Sequence, residues 1–224
     1  MMPCQVRMFT GDVAVPRLAG MSKPFKLYRH PLSGHCHRVQ ALLALLDLPC
    51  ELVEVDVLKG AQREPGFRAK NPLAQVPVLE DGELTLADSN AIMVYLALRY
   101  DSTGKWLPRE PRTAAQIQRW LSIAAGELVR GPGALRLHAL LGSPVDRATS
   151  ERAAGQVLSL LEQTLVGSHF LISERPTIAD LAMYAYTARA PEGGVSLADY
   201  AAVRGWHARL EALPAFPPMP RALT

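Results

Sequence analysis

A small α/β domain followed by an all-helical domain is the architecture this sequence predicts, on three observations. Leu52-Val53-Glu54-Val55-Asp56-Val57 alternates and is rich in β-branched residues, so it reads as a strand. Before it, Val39, Leu42, Leu43 and Leu46 follow helical spacing, and residues 25–30 read as another short strand. A strand–helix–strand unit this short implies a parallel pair with a right-handed crossover. Second, two apolar runs flank Asp81-Gly82, a hairpin signal. Third, beyond Pro111 only helical patterns remain.

Taken in order, residues 1–22 form an N-terminal extension. Arg7, Asp12, Pro16 and Arg17 interrupt every apolar run there, which argues against a signal peptide. Met21 directly precedes the first strand, so it is expected to be the natural start, with residues 1–20 poorly ordered and dispensable. The α/β domain spans 23–100. After the first strand comes a turn, Pro31-Leu32-Ser33-Gly34, then a helix over 35–46 that Leu48-Pro49 ends. Residues 59–70 are polar and carry Pro65 and Gly66, as a loop or short helix would. The hairpin leads to a helix that runs to about Tyr100, completing the order βαβαββα.

Residues 101–111 hold Gly104, Pro108 and Pro111 and read as a linker. The helical domain covers 112–224. Its first helix, 112–129, places Ile117, Trp120, Leu121, Ala124 and Leu128 on one stripe. Gly131-Pro132-Gly133 breaks or kinks it, and 134–141 resumes. A second helix, 146–166, turns Val157, Leu158, Leu161 and Leu165 inward. Thr177, with Asp180 three residues on, resembles a capping box that opens a third. A fourth covers 199–213, and Pro214, Pro217, Pro218 and Pro220 keep the tail non-helical.

Nearly half of the 224 residues are apolar, enough for a sizeable core, and the net charge of +3 is spread over interspersed acids and bases. That pattern carries no footprint of a nucleic-acid or membrane binder, and no apolar run reaches transmembrane length. Cys4, Cys36 and Cys50 form neither a disulfide framework nor a zinc spacing, so a cytoplasmic home is expected and no metal. His35 and His37, two apart, splay on a helix and are expected at the surface.

Residues 71–89 organise the chain. Pro77 lacks the N–H that a strand ladder needs. A cis Val76-Pro77 bond accommodates it and turns the Val76 backbone toward an extended peptide-like ligand. Asp88 is a natural N-cap for the apolar run that follows, and free N–H groups at a helix start attract carboxylates. One stretch thus offers a backbone clamp, an anion site and a carboxylate for an amine. The alternative is a hairpin and a capped helix with no ligand.

With Ser33-Gly34-His35-Cys36-His37-Arg38-Val39, with residues 71–79 and with Ala87-Asp88-Ser89-Asn90-Ala91-Ile92, the chain resembles the cytosolic glutathione transferases. It looks most like their theta-type and related bacterial members, and the resemblance covers roughly Lys23 to Phe216. It implies a thioredoxin-like first domain that binds glutathione as co-substrate. It also implies a helical second domain whose first long helix walls an apolar pocket for a small electrophile. A cytoplasmic homodimer with a role in detoxification follows from the same resemblance.

Residue by residue, the resemblance makes Ser33 the donor to the glutathione thiolate, with helix N-capping as the competing role. Gln62 and Gln75 would approach the glycyl end as amide donors; many relatives carry a basic residue there, so fewer charge-assisted contacts and a modest affinity follow. Val76, beside Pro77, would pair with the cysteinyl backbone, and Asp88 and Ser89 would hold the γ-glutamyl amine and carboxylate. Relatives often have Glu where Asp88 stands. Tyr28 is the rival donor, five residues before Ser33, and reads as packing. Cys36 stands where a CxxC motif has its second cysteine, either a redox thiol or a small buried residue. Arg38 supports either glutathione or a domain contact, and Asp180 supports the fold. Trp120, Ala124 and Leu128 are pocket candidates or core. Two further functions compete with glutathione transfer: glutathione-dependent reduction of disulfides or peroxides, and ligand binding without catalysis.

Overall fold

A computed structural model describes residues 24–222; the expectations for residues 1–20 and for Met21 lie outside them. The first domain contains β1 (Phe25–Arg29), α1 (Gly34–Leu45), β2 (Cys50–Glu54), α2 (Pro65–Arg68), β3 (Val78–Asp81), β4 (Leu84–Ala87) and α3 (Ser89–Tyr100), with a 3-10 turn at Ala61–Arg63. The second contains α4 (Pro111–Ala125), α5 (Ala134–Leu141), α6 (Arg147–Leu165), α7 (Ile178–Ala188) and α8 (Ala201–Glu211). The sheet order is β2-β1-β3-β4. β2 runs parallel to β1, while β3 pairs antiparallel with both β1 and β4. This is the mixed four-stranded sheet of a thioredoxin-like domain.

Alternation along β1 divides its side chains between two faces. Phe25 and Leu27 are fully buried in the main core, while Tyr28 packs with Val55, Phe67 and Val78 on the other face. Main-core residues come from both domains, including Leu42 and Met93 from the first and Ile117, Leu161 and Tyr184 from the second. The helix at its centre is α7. Ile178, Ala179, Leu181, Ala182, Met183, Tyr184 and Ala185 are all buried, as expected of a helix apolar on every side. Its start is the predicted capping box. Thr177 Oγ1 accepts from the Ala179 N–H at 3.2 Å, and Asp180 accepts from the Thr177 N–H at 2.8 Å. Asp180 also accepts from the Leu171 N–H and Trp206 Nε1–H, both at 3.0 Å.

Several expectations need correction. The hairpin loop is Gly82-Glu83, because Asp81 already pairs with Leu84. Glycine supplies the positive φ of 59° at the first loop position, the arrangement of a type II′ turn. The expected helix over 112–129 stops earlier, at Ala125 with Gly126 as its cap, and of the two readings of Gly131-Pro132-Gly133 the break is not the one observed. The triplet lies in a π-helical stretch, Val129–Gly133, that leads directly into α5. The wider turn absorbs Pro132, and Gly131 lets α6 approach so closely that a Cβ there would lie 2.6 Å from the Ala154 nitrogen. Of the two readings open to Trp120, Ala124 and Leu128, the core reading holds, since all three belong to the main core.

The histidines are not surface residues. His35 is half-buried against the Tyr186 ring and Ser89, and His37 is 4% exposed because the proline-rich tail folds back over α1. His37 Nε2–H donates to the Pro217 carbonyl at 2.6 Å, and its ring packs on Tyr184 and Phe216. Arg189 donates to the Met219 and Pro220 carbonyls, and the Ala222 N–H donates to Glu192 at 3.2 Å. Prolines fix the tail's φ angles, so ordering it costs less entropy than for an ordinary segment.

Candidate active site

The strand register gathers the candidate residues. Tyr28 of β1 pairs with Val53 of β2 and with Val78 of β3, and Val78 pairs with Ala87 of β4. The segments next to that row therefore share one end of the sheet. They are the turn after β1 that holds Ser33, the 3-10 turn with Gln62, Gln75-Val76-Pro77 before β3, and Asp88-Ser89 after β4.

Ser33 closes the turn after β1. Its N–H donates to the His30 carbonyl at 3.0 Å, and its extended backbone caps α1. Oγ accepts from the Cys36 N–H at 3.3 Å, which leaves the hydroxyl proton free to donate elsewhere. The cap role is thus present, and it is compatible with donation to a ligand. Gly34 follows because the Tyr186 ring of α7 leans on it: a Cβ there would lie 2.9 Å from ring carbons.

Val76-Pro77 is cis. Among the described residues neither the N–H nor the C=O of Val76 has a hydrogen-bond partner. The preceding turn is pinned by Asn71, whose Nδ2 donates to the Gln75 carbonyl at 2.8 Å. The Gln75 side chain is exposed. Gln62 is turned inward: Nε2 donates to the Val57 carbonyl at 3.3 Å, and its buried Oε1 has no partner.

Asp88 has φ 70°, a conformation uncommon for a residue with a side chain. Such backbone persists where the surroundings over-determine it, often at ligand clamps. Its Oδ1 accepts from the Asn90 and Ala91 N–H groups, both at 2.9 Å, so it caps α3 as expected. Ser89 is buried, and its Oγ lies 3.2 Å from His35 Nδ1 and 3.5 Å from Arg38 Nη1. Arg38 is wholly buried; burial pushes its guanidinium down to about 10, against the pull of Asp88. It also donates to Asn90 Oδ1 at 2.9 Å, and Asn90 Nδ2 donates to the Leu121 carbonyl of α4 at 3.0 Å. Of the two roles open to Arg38, the structure shows a helix-to-helix contact one step from the second domain.

Cys36 is 1% exposed, and burial pushes its thiol up to about 11, so it is a packed residue and not a reactive thiolate. Tyr28 donates to Glu80 at 3.2 Å and packs edge-on against Phe67, which engages its hydroxyl on the far side of the sheet from the core. Trp120 lines a cavity of about 190 Å³ with Gln116, Arg119, Thr164, Leu171 and Ile172, all from the helical domain. Two contributors were invisible in the sequence: Arg136, which donates to the Leu32 carbonyl, and Tyr186, which packs on Gly34, reach the site only through folding. No residue motif marks them, since each stands in a helix whose pattern reads as ordinary packing, and Asn90 stands inside a motif without a role assigned to it. Among the described residues no helix is long and apolar enough to cross a membrane, and no cluster of His, Cys, Asp or Glu could hold a metal ion.

Comparison with known proteins agrees with this fold. The family model "Glutathione S-transferase, N-terminal domain" matches residues 23–98, and "Glutathione S-transferase, C-terminal domain" matches residues 144–214. The chain is 35% identical over 206 residues to Glutathione S-transferase 3 of Zea mays, covering 86% of this chain and 91% of that one. It is 32% identical over 165 residues to human glutathione S-transferase theta-1, covering 70% and 69%. The crystal structure of a glutathione S-transferase from Pseudomonas fluorescens superposes with a TM-score of 0.82 at 33% identity, covering 88% of this chain and 99% of that one. A thioredoxin-like sheet, a helical second domain and both family matches in the same order make this chain a member of the glutathione S-transferase family.

Proposed function

We propose that this enzyme conjugates the glutathione thiolate to small hydrophobic electrophiles, with Ser33 donating its hydroxyl proton to the sulfur. The carrying observation is the Ser33 cap: Oγ accepts from the Cys36 N–H, and its proton remains free at the start of α1. A free thiol has a pKa of about 8.5, so little thiolate exists at neutral pH without help. A hydroxyl donor and the positive end of a helix both favour the anion. The enzyme's remaining contribution is proximity.

Around that sulfur, Val76 offers its unpaired N–H and C=O to the cysteinyl backbone. Asp88 takes the γ-glutamyl amine with the oxygen that capping leaves free. The Ser89 hydroxyl, beside Arg38, takes the carboxylate. Gln75 and Gln62 meet the glycyl end; Gln62 does so after releasing the Val57 carbonyl. The buried, undissociated Cys36 speaks for transfer over disulfide reduction. A homodimer in the cytoplasm with a detoxifying role completes the proposal, by likeness to the family.

Thiolate absorbance of bound glutathione against pH tests it, in wild type and Ser33→Ala. A hydrogen bond to a charged group is worth about 1.5–3 kcal/mol, so turnover with chlorodinitrobenzene should fall about ten- to a hundredfold at neutral pH. Binding should be nearly unchanged, and higher pH should restore part of the rate. Identical titrations in the two proteins would remove Ser33 from the mechanism.

A further inference from the structure

We infer that Arg136, on α5 of the helical domain, is a positioning residue that fixes the Ser33 hydroxyl by holding the carbonyl of Leu32. This inference rests on the reading of Ser33 as the thiolate's hydrogen-bond donor. Arg136 is 3% exposed. Its Nη1–H donates to the Leu32 carbonyl at 2.6 Å, across 104 residues of sequence, and its Nε–H donates to Glu192 at 2.7 Å. Burying a guanidinium is costly unless its donors find acceptors, and here two of its three nitrogens do. The third, Nη2, is buried without a partner. A side chain that served only to fill space between the domains would not need a charge. A fork that binds a carboxylate on one side and a single carbonyl on the other fixes the position of that carbonyl.

Leu32 immediately precedes Ser33, so its carbonyl belongs to the peptide plane that carries the Ser33 nitrogen. The other hydrogen bonds of this turn are local: Ser33 N–H to the His30 carbonyl at 3.0 Å, and Leu32 N–H to His30 Nδ1 at 3.3 Å. Local bonds leave the place of the turn relative to the helical domain to the packing of Tyr186 on Gly34 and to Arg136. Arg136 ties the turn to the second domain. Its own place is set by Glu192 and by Gly193, where a Cβ would lie 2.7 Å from the Arg136 backbone nitrogen. Glu192 also accepts from the Ala222 N–H at 3.2 Å. The tail, Glu192, Arg136, the Leu32 carbonyl and Ser33 form one connected chain of contacts.

The test is a double-mutant cycle on Arg136→Met and Ser33→Ala, reading the pKa of enzyme-bound glutathione and the pH profile of kcat. Arg136→Met alone should raise the bound-thiol pKa by about one unit and lower kcat at neutral pH about tenfold. KM for glutathione should hold, and the rate should recover at high pH. In the Ser33→Ala background the same substitution should shift the thiol pKa no further. A loss of equal size in both backgrounds, or an unshifted pKa in Arg136→Met, overturns the inference. Where Arg136→Met does not fold, Arg136→Lys carries the test. One ammonium cannot reproduce the fork that holds Leu32 and Glu192 at once, so the same Ser33-dependent rise is expected. A lysine variant that titrates like wild type refutes the role. An unshifted titration in Ser33→Ala alone would instead sink the reading of Ser33, so the two failures are distinguishable.

Discussion

Asp180→Asn is the most informative single change for the fold, because the side chain keeps its shape and loses only its charge and one acceptor. In the native protein Oδ1 accepts from the Leu171 N–H and Trp206 Nε1–H, and Oδ2 accepts from the Thr177 N–H and hydroxyl. Asparagine has one oxygen. Placed at Oδ1 it preserves two bonds without charge assistance, a loss of about 1 kcal/mol each. The amide then faces the Thr177 N–H, donor against donor, and orphans it at about 1–3 kcal/mol. The Thr177 hydroxyl can turn and accept from the amide, so it adds little. The sum is about 3–5 kcal/mol, a large share of the ~5–15 kcal/mol stability of a typical domain. Urea unfolding followed by far-UV circular dichroism reads it directly, with an unchanged slope as the check that the same surface unfolds. A variant within about 1 kcal/mol of wild type would refute the claim that these contacts anchor α7.

Gly131→Ala should destabilise by about 1–3 kcal/mol, since its Cβ meets the α6 backbone, which cannot yield as a flexible side chain would. Gly155→Ala, in the middle of α6 with nothing within 4 Å, should stabilise by about 0.5–1 kcal/mol; thermal unfolding of the pair checks both signs. Burial holds His37 down at about 4, with Nε2–H on Pro217 and a buried Nδ1 that has no acceptor for a second proton. Between pH ~6.5 and 4 the unfolded chain takes a proton that the native state refuses, so stability should fall as pH drops through that window, by up to about 1.4 kcal/mol per unit. His37→Phe should flatten the profile of unfolding free energy against pH. Cys36 should resist iodoacetamide at pH 7 in the native protein and react once unfolded, as peptide mass mapping will show.

The legible parts of this molecule were those set by local sequence. Alternation in residues 52–57, the helical spacing of Val39 to Leu46 and the glycine of the hairpin each act within a few residues, and each produced its element. The boundaries moved because neighbours decide them: β2 ends at Glu54, where its pairing with Arg29 stops. Ser33 and Asp88 were recognisable because a cap and an anion site ask for the same residue types. The histidines were misplaced because distant segments bury them, a tail 180 residues away for His37 and Ser89 and Tyr186 for His35, beyond the reach of any periodicity. The π-helical turn at Pro132 escaped for a related reason. A proline reads as a break or a kink, and choosing between them needs the packing of α6 against Gly131.

That tail has a consequence for how the protein is made. α1 belongs to the first domain, yet the carbonyl that satisfies His37 and the aromatic ring that covers it come from Pro217 and Phe216. As the chain emerges from the ribosome, the thioredoxin-like sheet can assemble early, but this face of α1 stays open until the far end of the helical domain has been released. Contacts that span such a separation are slow to form and leave apolar surface uncovered in the interval. A handful of proline-rich residues therefore sets how long this face stays uncovered during synthesis.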